Sequence, residues 1–267
     1  MEKISNILKN QKTWPENLES SSQAKACEKC GKEIKPVLIP VIEKAMIPAC
    51  ECEYEEYMKQ EQEREKRTEQ EKYNRLLKNS GLGKKFEGCS FNNWVNRAGT
   101  GRAYNQAFKY AVNIQENIKE GRGLIIFGKP GNGKTHLVAA ITNKAIQERY
   151  TVIFERVPRL LAKLRNTYNG GTVNEGEIVD ALIRSDLLIL DDAGAEKCSE
   201  WTEQSLYTII DERYTEELAT IVTTNSDLEE LERKIGPRSM DRLLEMCEIV
   251  ENRGTSYRQE RGGVKDE

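Results

Sequence analysis

The chain lacks any stretch approaching the roughly 20 consecutive apolar residues that a membrane-spanning helix needs. Its opening, MEKISNILKNQKTWPENLES, lacks the apolar centre of an export signal, so the cytoplasm is the expected compartment and no membrane partner is expected. Charge of one sign is also missing: 41 Lys+Arg stand against 44 Asp+Glu, a net −3. That balance argues against bulk attraction to nucleic acid and leaves room for a local basic groove, so overall charge decides nothing. There is one histidine, His136, which excludes two-histidine metal sites and argues against a Ser-His-Asp hydrolase. Aromatics are sparse at 7%, and hydrophobic residues reach only 37% of 267, which fits a real core accompanied by a solvated portion.

What is present changes character twice along the chain. A cysteine-bearing segment spans residues 1–52. Residues 53–79 follow without Pro or Gly, with Glu interleaved among Lys and Arg, as in a solvent-exposed connecting helix with no sustained heptad. Ser80-Gly81-Leu82-Gly83 ends that helix and opens the third part, 80–267. Between Tyr104 and Ile118 the apolar residues Phe108, Ala111, Val112 and Ile118 recur at helical spacing. Short apolar runs then occur at 124–127, 152–154, 187–190 and 220–223, with 247–250 as a fifth, separated by helix-length segments. That alternation predicts βαβ units, hence an α/β fold with a parallel sheet and helices on both faces. Residues 169–176 are expected to form a flexible loop.

The strongest signal is Gly128-Lys129-Pro130-Gly131-Asn132-Gly133-Lys134-Thr135, a complete G-x-x-x-x-G-K-[ST] between the run LIIF and a helical pattern beginning at His136. The glycines let successive backbone N–H groups point at a phosphate chain, at the positive end of the next helix. Lys134 is suited to the β and γ phosphates of ATP and Thr135 to Mg²⁺, and 128–136 as a whole is read as the cofactor-binding loop. A second apolar run, Leu187 to Leu190, delivers Asp191 and Asp192 to its C-terminal end, where open α/β sheets bind ligands. Alternation along a strand sends the two carboxylates different ways: Asp191 for the Mg²⁺ shell, Asp192 for the attacking water.

These motifs, taken in order, resemble the AAA+ ATPases of the helicase-loader type, the DnaC and DnaI proteins, with IstB transposition helpers as close relatives. The resemblance covers 84–258 and rests on GKPGNGKTHL, LLILDDAGAEK followed by Trp201, Asp211-Glu212-Arg213-Tyr214, IVTTNSDLEEL, the Arg238 to Leu243 segment and Ser256-Tyr257-Arg258. It implies a P-loop AAA+ core with a five-stranded parallel sheet, and an ATP-dependent loader of a DnaB-type ring helicase onto single-stranded DNA. Asn225 resembles the sensor polar residue. Arg238 and Arg242 resemble the arginine-finger region that reaches a neighbouring subunit's nucleotide, and which of them is the finger stays open. Arg258 resembles the second sensor arginine, acting within its own subunit. Such arginines make hydrolysis depend on self-assembly, because their charge reaches the γ-phosphoryl group only in the oligomer. The resemblance also places 84–94 beside the adenine, where Phe86 or Phe91 either stacks on the base or packs in the core. An IstB-type transposition helper and a nucleotide-gated adaptor with little hydrolysis are the alternatives.

Cys27-x-x-Cys30 and Cys50-x-Cys52 give four thiols in two close pairs, the ligand count of a tetrahedral Zn²⁺ site. A module with so few apolar residues needs metal for much of its folding energy. It resembles the N-terminal domain of the DnaI branch, although the all-cysteine set departs from it. Cys89, Cys198 and Cys247 read as structural. Contact with DNA is implied by the resemblance alone: 233–261 is a mixed surface, with Tyr257 its one possible stacking residue.

Overall fold

The computed structural model describes residues 23–39, 44–168, 174–196 and 198–257. The chain divides into two compact units, 1–70 and 71–267. In the first, β1 (Lys25–Ala26) pairs antiparallel with β2 (Glu33–Ile34), and β3 (Val37–Ile39) with β4 (Lys44–Met46). The β1–β2 connection turns tightly on Gly31, at φ 74°, whose N–H donates to the Cys27 carbonyl at 2.8 Å. Helix α1 (Glu51–Asn79) runs across the division and has no buried residue, as its mixed charge predicts. It starts at Glu51, ahead of the expected residue 53, so Cys52 lies in its first turn.

The second unit is built on a five-stranded parallel sheet in the order β6 (Val152–Arg156), β7 (Leu187–Ala193), β8 (Ala219–Thr224), β5 (Gly123–Phe127), β9 (Cys247–Glu251). All five expected runs are strands of this sheet. Its two faces divide the strand residues by period two. Leu124, Ile126, Leu187, Ile189 and Ile221 pack under α2 (Gly101–Val112), α3 (Ile114–Lys119) and α4 (Lys134–Gln147). Ile125, Leu188, Leu190 and Val222 pack under α5 (Val157–Tyr168), α6 (Glu175–Arg184), α7 (Glu200–Thr215), α8 (Leu228–Ile235) and α9 (Pro237–Met246). Burial on both faces is why these strands read as unbroken apolar runs. No described helix is long and apolar enough to cross a membrane.

Three local expectations change. The 104–118 pattern resolves into two helices broken at Asn113, and its buried face is Ala103, Ala107, Tyr110 and Ala111. Phe108 and Val112 are 46% and 61% exposed. Alanines let α2 approach α4 closely, and the larger side chains turn outward, with Phe108 stacked parallel on Tyr104 at 6.0 Å. The 169–176 loop ends sooner than expected: Glu175 and Gly176 begin α6, capped by Asn174, whose side chain accepts from the Gly176 N–H. Residues 169–173 lie outside the described residues. Finally, Cys247 is buried and donates to the Thr220 carbonyl, but Cys198 is exposed and fills no core position.

Candidate functional site

The phosphate loop follows from its glycines. Gly128, Gly131 and Gly133 take φ values of 142°, 78° and 101°, which L side chains rarely adopt. Gly133 also has no room for a Cβ, which would lie 2.6 Å from the Trp94 ring. The loop leaves β5 and enters α4 at Lys134, so the helix N-terminus opens onto a cavity of about 640 Å³. That volume is in the range of small-molecule sites.

Lys134 is nearly buried, and its ammonium donates to the carbonyls of Gly128 (2.7 Å) and Lys129 (3.0 Å), and to the side-chain oxygens of Asn132 (3.2 Å) and Asn225 (2.8 Å). Asn225, just past β8, also donates through Nδ2 to Asp192. Asp191 is 2% exposed. Its Oδ1 accepts from Thr135 Oγ1 at 3.0 Å and Thr223 Oγ1 at 2.8 Å, and its Oδ2 faces Arg156 Nε at 3.6 Å. Burial raises its pKa above the ordinary aspartate value, against the two hydroxyl donors and the Arg156 charge, which lower it.

The two carboxylates do diverge, by a sharper device than strand alternation. Asp192 has φ 62°, and the β7–β8 register shifts between Leu190 and Ala193, where three steps on β7 match two on β8. This bulge re-aims Asp192 toward Asn225. Thr223 holds the bulge from β8, since its Oγ1 accepts the Asp192 N–H at 3.0 Å while donating to Asp191.

A profile of the family described as IstB-like ATP binding protein matches residues 55–263. The chain belongs to that family. Similar proteins include the replicative helicase loader DnaC of Escherichia coli strain K12, 31% identical over 173 residues, which cover 64% of this chain and 69% of that protein. Among solved structures, a DnaC helicase loader superposes with a TM-score of 0.58 at 25% identity, over 64% of this chain and all of that one. DnaI does so at 0.54 and 25%, over 66% of this chain and 94% of that one. This IstB-like protein is thus an AAA+ ATPase with a P-loop ATP-binding site.

Of the expected site residues, Pro130 to His136, Asp191, Asp192 and Asn225 all line the one cavity. His136 does so at its edge, with Nε2 3.1 Å from the Ser90 carbonyl and its ring against Trp94. Arg238 and Arg242 are not brought there. Arg238 lies over Tyr207, while Arg242 donates to Asp211 at 3.0 Å and covers Tyr214, so both lean on one face of α7. Arg258 lies outside the described residues. Phe86 lines the cavity, and Phe91 instead packs edge-on against Tyr104 and Phe108.

Sequence reasoning missed two arginines of the IstB-like site, while Trp94, the end of the 84–94 segment expected beside the adenine, does line the cavity. Arg97 lines it from the segment before α2. Arg97 also donates to the carbonyls of Asn132 and Thr255 and lies over the Tyr257 ring at 5.2 Å. Arg156 lines it from the end of β6. Neither belongs to a spaced motif, and only the tertiary fold brings them in.

Two metal sites fit the residues present. A hydroxyl and a carboxylate, Thr135 and Asp191, meet beside the phosphate loop, the hard oxygen donors that suit Mg²⁺. In the first unit the sulfurs of Cys27, Cys30, Cys50 and Cys52 lie within 4.8 Å of one another, with Cys27–Cys52 at 3.6 Å and Cys30–Cys50 at 3.4 Å. A tetrahedron with Zn–S bonds of about 2.3 Å spaces its sulfurs about 3.8 Å apart. Backbone hydrogen bonds at Cys30 and Lys29 lower the Cys27 thiol to about 7, toward the thiolate form that a metal binds, whereas burial pushes the Cys52 thiol up.

Proposed function

We propose that this protein is an ATP-dependent loader that places a DnaB-type replicative ring helicase on single-stranded DNA during replication, in the cytoplasm, with hydrolysis controlled by self-assembly. The observation that carries the reading is a separation: Lys134, Thr135, Asp191, Asp192 and Asn225 share one cavity, while Arg238 and Arg242 stand outside it on α9. A site that gathers these groups but neither α9 arginine is what assembly-controlled hydrolysis requires.

In this scheme the loop amides and Lys134 hold the triphosphate, and Lys134 exchanges its present carbonyl partners for phosphate oxygens. Thr135 and Asp191 hold Mg²⁺, which supplies charge neutralisation on the phosphate oxygens. Asp192 orients the attacking water, and Asn225, bonded to both Lys134 and Asp192, sets the distance between cation and acid. Arg238 or Arg242 of one subunit serves its neighbour, and Arg258 serves its own. The four-cysteine cluster holds Zn²⁺ and shapes the docking module for the helicase. Support for the partner comes from the names of the similar proteins, DnaC helicase loaders.

The test is a pull-down of the host's replicative helicase by this protein with and without ATP. Retention of the helicase supports loading; no complex under either condition overturns it. The family description, IstB-like, favours one second reading, a transposition helper ATPase, whose signature is capture of a transposase in place of the helicase.

A further inference from the structure

Beside Asp191 the cavity contains a cation that the scheme above does not use. Arg156 is the last residue of β6 and pairs in register with Asp191 on β7. Val157, the next residue, is wholly buried at the start of α5, so the backbone is anchored and only the side chain can move. The guanidinium lies 3.6 Å from Asp191 Oδ2, which the Thr223 hydroxyl does not engage and which the Thr135 hydroxyl reaches only at 3.4 Å. The adjacent acid, Glu155, is taken by Lys163 and does not compete for it. Of the other cations lining the cavity, Lys134 is held by the loop and Asn225, and Arg97 by the Asn132 and Thr255 carbonyls.

Electrostatics demands a positive charge at this point. A buried carboxylate facing a triphosphate repels it unless a cation stands between them. Mg²⁺ would meet that need when bound, and Arg156 already faces the same carboxylate from the protein side. Its side chain is 54% exposed, free enough to yield the oxygen and turn toward phosphate.

Resting on the ATP-site reading above, we infer that Arg156 is a protein-borne substitute for the metal: it competes with Mg²⁺ for Asp191 and lets the site hold ATP without metal. Removing it has two effects of opposite sign. Mg²⁺ binds the freed carboxylate more readily, and metal-free ATP loses its counter-charge. The quantity that reports both is the ratio of the ATP dissociation constant in EDTA to that in Mg²⁺, an equilibrium measurement independent of turnover.

The experiment titrates the full chain with ATP by calorimetry in each buffer, for the unmutated protein, Arg156→Gln, Arg156→Lys and Lys134→Ala. Arg156→Gln is expected to raise the ratio on the order of tenfold, mainly by weakening binding in EDTA, while Arg156→Lys stays within about threefold of the unmutated value. An unchanged ratio in Arg156→Gln overturns the inference, and so does a rise in Arg156→Lys as large as that in Arg156→Gln, which would make geometry rather than charge the cause. If Arg156→Gln does not fold, Arg156→Met takes its place with the same expectation. Should the unmutated protein bind ATP in neither buffer, behaving like Lys134→Ala, the ATP-site reading itself is lost. Binding with an unmoved ratio sinks the role of Arg156 alone.

Discussion

Asn132 and Asn252 exchange hydrogen bonds across 120 residues of sequence: Asn132 Nδ2 donates to the Asn252 carbonyl at 2.7 Å, and Asn252 Nδ2 returns to the Asn132 carbonyl at 3.2 Å. Both residues are fully buried, and Asn252 N–H also donates to the Phe127 carbonyl at 2.8 Å. The tip of the phosphate loop is therefore tied to the exit of β9. Asn252→Ala leaves the Asn132 carbonyl with Arg97 alone and strips the buried Gly254 N–H of its acceptor, so we expect a loss of about 1–3 kcal/mol in denaturant-measured stability. ATP binding should weaken as well, because the loop loses its brace. A variant as stable as the unmutated protein would show the pair to be ornamental.

The separation of the α9 arginines from the cavity makes a subunit-mixing prediction. Asp192→Asn should keep ATP binding and lose turnover by at least about a hundredfold, the usual effect of removing a positioned base. Arg242→Ala should do likewise, since its partners Asp211 and Tyr214 are on α7 and not at the nucleotide. Mixing the two inactive variants should restore activity, because each then supplies what its neighbour lacks. Arg238→Ala run in parallel identifies the finger. No recovery on mixing, from either arginine variant, argues for a site that works within one subunit.

How much of this was legible beforehand depends on whether the signal was local. The phosphate loop and Asp191-Asp192 were readable because glycine spacing and apolar runs are short-range patterns, and all five strands followed from the same runs. Phe108 misled because apolar spacing does not say whether an aromatic or an alanine faces a close helix–helix contact. Asn252, Arg97 and Arg156 were invisible because each acts through partners far away in sequence. The Asp192 bulge is set by Thr223 on another strand, so no reading of β7 alone finds it.

Arg213, part of the Asp211 to Tyr214 segment that carries the family resemblance, is fully buried. Its guanidinium donates to the carbonyls of Leu182, Ile183 and Ser185 at the end of α6, to Ala219, and to the Thr220 hydroxyl. It thus caps one helix and ties it to β8, without a carboxylate among these partners. Desolvation lowers its pKa to about 10, and it stays charged at neutral pH. Truncation strands several buried carbonyls at once, so Arg213→Ala should cost roughly 3–5 kcal/mol in urea unfolding. Arg213→Lys should recover only part, because an ammonium cannot match the planar fork. A cost under about 1 kcal/mol would assign the motif to the surface chemistry of the protein instead.

The four-cysteine cluster gives a prediction that leaves the nucleotide site untouched. Its sulfurs come from the β1–β2 turn and from the start of α1, segments with little apolar burial: Val37 and Leu38 nearby are 56% and 65% exposed. Four thiols this close repel one another once ionised, and a divalent cation is the natural remedy. We expect one zinc per chain by elemental analysis, and none in Cys50→Ser or Cys52→Ser. Both variants should lose protease resistance in the first unit while binding ATP as the unmutated protein does, since no cysteine of the cluster lines the ATP cavity. Chelation should reproduce the loss and added Zn²⁺ reverse it, which separates a structural metal from a redox pair of thiols, whose protease resistance would follow reductant and not chelator.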